Sequence, residues 1–103
     1  MAGVGASKLK CKAPSELTIY TVKSFQEELI SKLDNNKDLL LDCQQLEMID
    51  GAGIQLLLSL EKTALNENFG VEYMNLSSEI KKNIELAGAI DLLDFIEEDQ
   101  KNE

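Results

Sequence analysis

At 103 residues and 44% hydrophobic content, the chain has room for one core and not two, and needs neither a metal nor a disulfide framework to fold. Nineteen acids against ten lysines, with no arginine, histidine or tryptophan, give a net charge of -9 and argue against nucleic acid, whose phosphates demand a basic face. The same absences remove the usual imidazole base, the commonest metal ligand and the bidentate phosphate clamp.

The first six residues, Met-Ala-Gly-Val-Gly-Ala, lack a charged region followed by an apolar core, so no signal peptide is expected and residues 1–7 read as a flexible tail. No run of ~18 apolar residues is present to span a membrane. Lys8 to Lys12 alternates, with Leu9 and Cys11 on one face and lysines on the other, as in a half-buried edge strand. Ala13-Pro14-Ser15-Glu16 breaks it, and Leu17 to Tyr20 predicts a second short strand forming a hairpin with the first. A helix follows, capped by Thr21, or by Ser24 with Glu27 as a capping box, and striped by Val22, Phe25, Leu29, Ile30 and Leu33. Asp34 to Lys37 ends it.

Leu39 to Cys43 is nearly continuous in apolar character, the pattern of a strand covered on both sides. Cys11 and Cys43 have no close spacing, so buried free thiols of a cytoplasmic protein are the expected reading, with a disulfide between neighbouring strands as the alternative. Next comes Glu47-Met-Ile-Asp-Gly-Ala-Gly-Ile54: a strand end, an acid, two glycines around an alanine, then a leucine-rich helix. Asp50 predicts an N-cap, and Gly51 and Gly53 allow a tight turn that leaves the helix start open to approach. A helix from Gly51 to about Asn66 carries Ile54, Leu56, Leu57, Leu58, Leu60, Ala64 and Leu65, too wide an arc for a surface helix. One side should pack on the sheet while part of the rest faces other helices or a partner.

Asn68-Phe-Gly70 predicts a turn, Val71 to Leu76 a strand, and Ser77 the cap of a helix with Ile80, Ile84 and Ala87 on one face and Gly88 at its end. Ile90 to Ile96 reads equally as a helical turn or an edge strand, and residues 97–103 as an acidic tail. The order strand, strand, helix, strand, helix, strand, helix predicts an α/β domain over residues 8–96: a mixed sheet of four to five strands with helices packed over it.

Nothing in this pattern assembles a catalytic set. Asp50 has no second acid at a recognisable spacing, no base and no metal-binding companion. Ser77-Ser78 reads as a cap, Gly51-Ala-Gly53 is too short for a phosphate loop, and neither cysteine has a basic neighbour pattern. No enzyme, cofactor or metal is expected.

Leu17-Thr-Ile-Tyr-Thr-Val22 before a helix, then Leu39-Leu-Leu-Asp-Cys43, then Ile49-Asp-Gly-Ala-Gly-Ile-Gln-Leu-Leu-Leu58, resembles a STAS domain, the sulphate transporter and anti-sigma factor antagonist family. The resemblance covers residues 8 to 96, and the family's signature is Asp-Ser/Thr-Ser/Ala/Thr-Gly between the third strand and second helix. In antagonists of this family the domain binds an anti-sigma factor that is also a serine kinase, and phosphorylation of the hydroxyl after the signature aspartate ends the interaction. A phosphate there adds up to about two negative charges at a docking surface. Here Asp50 and Gly53 match, but Gly51 stands where the phosphoacceptor hydroxyl belongs.

The resemblance therefore implies a cytoplasmic protein-binding module, docking through Asp50, Gly51, Ala52, Gly53, Gln55, Ser59 and Lys62, that is not switched at position 51. Its implied partner is an anti-sigma factor kinase. Ala52 also resembles the STAS subunits that brace the ATPase of phospholipid-transport ABC complexes. The Leu-Thr-Ile-Tyr strand is similar to that of STAS proteins of chemotaxis or histidine-kinase systems, and a nucleotide-binding STAS domain is a weaker alternative.

Overall fold

The computed structural model describes residues 8–33 and 37–89. Among these residues, five strands and three helices follow in the order β1 (Lys8–Lys12), β2 (Glu16–Leu17), α1 (Val22–Lys32), β3 (Asp38–Asp42), β4 (Met48–Ile49), α2 (Gly51–Glu67), β5 (Val71–Met74) and α3 (Ser78–Leu86). The class is α/β, as the sequence predicts. The expected elements at 90–96, and the expected tails at 1–7 and 97–103, lie outside the described residues.

The expected hairpin does not form. β1 pairs with β3 and β2 with β4, and every pairing among the described residues is parallel: a three-stranded sheet in the order β1-β3-β5 and a two-stranded sheet of β2 and β4. The physical reason lies at Ala13–Ser15, which kinks the chain without reversing it. The Ala13 amide still donates to Asp42 O at 2.9 Å, after which Pro14 has no N–H to offer. Ser15 O then receives the amides of Glu47 and Met48. The path β1–β2 thus runs alongside the path β3–β4, each interrupted at the same level, and two parallel sheets replace the expected mixed one.

β1 is an edge strand with its lysines exposed and Cys11 buried, matching the alternation of the sequence. β3 is central, yet Leu40 on its lysine-bearing face is only half-buried, so the apolar run is fully covered on one face. Register sets Cys11 opposite Leu41 and not opposite Cys43; both thiols are buried and free. Burial pushes both thiol pKa values up, that of Cys43 to about 12. At the end of β3, Asp42 Oδ1 accepts from the Gln44 amide and from Asn75 Nδ2, each at 3.0 Å. That ties the turn after β3 to the one after β5, and these bonds, Asn75 first, hold the Asp42 carboxyl below its ordinary range.

The core gathers Leu17, Leu39, Leu41, Leu57, Tyr73, Ile80 and Ile84, with Phe25 and Leu29 from α1. Tyr73 is buried on β5 and donates its hydroxyl to Glu61 Oε2 on α2 at 3.0 Å, which satisfies its polar end. In α1 the expected stripe holds for Phe25 and Leu29, with Val22 and Leu33 packed at its margin, while Ile30 is exposed. Thr21 is the N-cap residue of α1 by position but makes no side-chain cap bond. Its hydroxyl donates to Glu16 O at 2.7 Å and accepts from the Thr18 amide at 3.0 Å, and Ser24 falls inside the first turn instead of capping it.

Candidate functional site

The end of β4 delivers Asp50 in extended conformation (φ −118°, ψ −172°), and α2 starts at the next residue. Oδ1 of Asp50 accepts from the Gly53 amide at 3.1 Å, which is the predicted N-cap. Its second oxygen does something the sequence did not reveal. Oδ2 accepts from the amide of Ile19, 31 residues away, at 3.0 Å. The Asp50 amide in turn donates to Leu17 O at 3.2 Å. These donors, Ile19 first and Gly53 second, hold the carboxyl below its ordinary value, so Asp50 is an anion at neutral pH.

The two glycines of the turn have different reasons to be glycine. A Cβ at Gly53 would land on the carbonyl oxygen of Leu17 and 2.8 Å from Ile49 Cγ1, so only a bare Cα lets α2 start this close to β2. At Gly51 a Cβ meets nothing within 4 Å, and the residue is exposed. The fold demands glycine at 53 and does not demand it at 51.

The remaining candidates spread along α2. Ala52 is half-buried in the first turn, and Gln55, Ser59 and Lys62 are exposed. Gly51, Gln55, Leu58, Lys62 and Leu65 recur at helical spacing and make one stripe roughly 21 Å long at 1.5 Å per residue. Leu65 on it is 79% exposed. Its middle and far parts, with Ser59 and Glu61 alongside, line a shallow groove of about 490 Å³. Ser59 also borders a smaller groove between α1 and α2, beside Ile30 and Leu56. The structure therefore brings Asp50 to Gly53 together as one turn and continues them into an outward face of mixed character.

Sequence reasoning missed the neighbours of that turn. Residues 18–20 are not strand: Thr18 O accepts from the amides of Thr21 and Val22, and Thr18 Oγ1 accepts from the Tyr20 amide. This tight loop leaves Ile19, whose amide is bonded to Asp50, 64% exposed and Tyr20 89% exposed, and Met48 of β4, two residues before Asp50, is exposed as well. The residue types gave no warning of it: adjacent bulky side chains point to opposite faces of a strand, as Leu39, Leu40 and Leu41 do in β3, so Ile19-Tyr20 reads equally well as strand.

Among the described residues no cluster of three acids or cysteines is placed to hold a metal ion, and no helix is long and apolar enough to cross a membrane. The family model described as Mlab, STAS domain matches residues 7–94, which includes the whole of this turn and every described element. No curated protein matches the chain.

Proposed function

The chain belongs to the STAS domain family, generally non-enzymatic regulatory or binding modules, and we propose that this member is a protein-binding module resembling an anti-sigma factor antagonist that cannot be switched off at the signature position. The observation that carries this reading is the exposed, side-chain-free Gly51 next to an intact Asp50 cap. The signature turn is kept for docking while the hydroxyl that a kinase would modify is missing. The docking surface comprises Asp50, Gly51, Ala52 and Gly53 with Gln55, Ser59 and Lys62 on the outer stripe of α2, and the partner is a cytoplasmic anti-sigma factor kinase. Binding is then governed by the partner's abundance or its own ligands rather than by the charge state of this domain.

The test is incubation with the cognate kinase and ATP followed by peptide mass spectrometry. The expected outcome is a stable complex with no phosphate within residues 47–60. A phosphate on Ser59, the one hydroxyl in that span, defeats the reading.

A second reading has its own support. Ala52 is the residue on which the sequence resembles STAS subunits of phospholipid-transport ABC complexes, and the matching model carries the Mlab description. In that reading the same surface braces an ATPase subunit, for which a permanent, unmodifiable interface is also suited. Affinity purification of the tagged protein from its native source separates the two, because one predicts a kinase and the other a transporter ATPase.

A further inference from the structure

Among the described residues Asp42 is the one buried charge, 5% exposed at the last position of β3. A carboxylate withdrawn from water is costly unless its oxygens are met. Oδ1 is met twice, by the Gln44 amide and by Nδ2 of Asn75, whose backbone takes the left-handed conformation (φ 63°) just after β5. Oδ2 accepts from none of the described residues. Every wholly buried side-chain oxygen or nitrogen among them has a partner, so Oδ2 is not sealed in. Its opening is a pocket of about 200 Å³ lined by Lys12, Asp42, Gln44 and Gln45. Lys12 ends β1 directly opposite Asp42 in the parallel register, and its side chain is exposed. No ion pair joins the two, yet after the Asn75 and Gln44 bonds the charges of Lys10 and Lys12 also hold Asp42 ionised. Gln45 is fixed by donation of Nε2 to Ala13 O at 2.8 Å.

We propose that this pocket is a binding site for a small zwitterion of the amino acid class, whose ammonium group donates to Asp42 Oδ2 and whose carboxylate meets the Lys12 ammonium. The turn itself needs only Oδ1, and a neutral asparagine offers that oxygen equally well. The second oxygen and the charge are therefore surplus to the fold. With one wall negative and the other positive, a simple cation is opposed by Lys12 and a simple anion by Asp42. A molecule carrying both signs a few bonds apart satisfies each. The volume equals that of roughly seven water molecules at ~30 Å³ each, which admits a molecule of amino acid size and is too small for a nucleotide. None of the lining residues belongs to the proposed docking surface on α2, so the two proposals stand or fall separately.

The experiment is an NMR titration of the full chain with glycine, following the Gln44 amide and the side-chain amide of Asn75. Both signals are expected to shift and saturate in the millimolar range, the scale for so small a ligand. N-acetylglycine lacks the ammonium group and ethanolamine lacks the carboxylate, and each is expected to bind about tenfold more weakly or worse. Asp42→Asn keeps the acceptor for Gln44 and Asn75 but turns an NH₂ donor toward the pocket, so glycine affinity should fall by about tenfold or more. Should that variant fail to fold, Lys12→Ala at an exposed edge position carries the test, with the same loss expected. Shifts that stay linear up to about 100 mM glycine mean that only water meets Oδ2, and they overturn the proposal. Ethanolamine binding as tightly as glycine overturns it too, and so does undiminished glycine affinity in a folded Asp42→Asn.

Discussion

Helices α2 and α3 begin with the same local device and play different parts in the molecule. Asp50 accepts from the Gly53 amide at 3.1 Å, and Ser77 accepts from the Ile80 amide at 3.1 Å, each three residues into its helix. Ser77 has one oxygen, and its work ends there. Asp50 has two, and the second joins α2 to a loop from another part of the chain. A hydroxyl cap is a statement about one helix, whereas a carboxylate cap is able to make one helix start report on another segment. The difference is also one of surroundings: the turn before α2 follows exposed Met48 in the chain and is bonded to the amide of exposed Ile19.

The largest expected effect that separates the two starts comes from Gly53→Ala. Its Cβ collides with the Leu17 carbonyl, so the domain should lose about 2 kcal/mol or more in denaturant unfolding, as overpacking against an unyielding backbone does. The corresponding position of α3 is Ile80, whose side chain is already part of the core. If Gly53→Ala unfolds at the wild-type denaturant concentration, α2 does not press on β2 as described.

Next in size is Asp50→Ala, which should weaken binding to the proposed partner by about tenfold or more, the scale of one lost hot-spot contact, in titration calorimetry. Ser77→Ala should cost about 1 kcal/mol of stability, the usual loss for a cap, and leave that affinity unchanged. Equal effects of the two alanines on affinity would erase the functional half of the comparison. Gly51→Ala should be small and opposite in sign: a Cβ there meets nothing, so the free domain gains roughly 0.5 kcal/mol from better helix propensity. The same change should weaken docking if a partner approaches that bare turn.

The smallest effect is in pH. Because the folded carboxyl of Asp50 titrates below the ordinary value of 3.8, its contribution is complete above that value and is lost as pH falls through the depressed one. The amide shifts of Ile19 and Gly53 should therefore move together with a midpoint below 3.8, while Ile80 stays still. Asp42 is depressed in the same direction, so overall acid stability reports both carboxylates, and only the site-resolved shifts isolate Asp50.

These contrasts also mark what is legible in the sequence. Both caps were readable, because a cap is chemistry between residues three apart. The largest failures involve partners distant in the chain. β2 stops at Leu17 because the Ile19 amide is claimed by Asp50, and no propensity at Leu17–Tyr20 encodes a donor bond to position 50. The capping box at Ser24 fails because the Thr21 hydroxyl reaches back to Glu16 O and the helix starts at Val22. The hairpin fails because Ala13–Ser15 continues a path instead of reversing it, and pairing with β3 and β4 offers parallel partners on the far side of α1. The exposure of Ile30 belongs with these, since helical spacing alone does not say where a neighbour stops covering the stripe. For the candidate site, Asp50 and Gly53 could be singled out from sequence, but the different reasons for Gly51 and Gly53 required knowing what lies 4 Å away.

The two thiols carry a practical consequence of their own. Cys43 is 1% exposed with its pKa raised to about 12, and Cys11 is 2% exposed, so neither presents a thiolate to solvent in the closed domain. Alkylating reagents react with thiolates, and here they must wait for β1, which carries Cys11, and the end of β3, which Cys43 follows, to open. The rate of labelling at neutral pH is thus a clock for opening of the sheet, read from the native protein without denaturant.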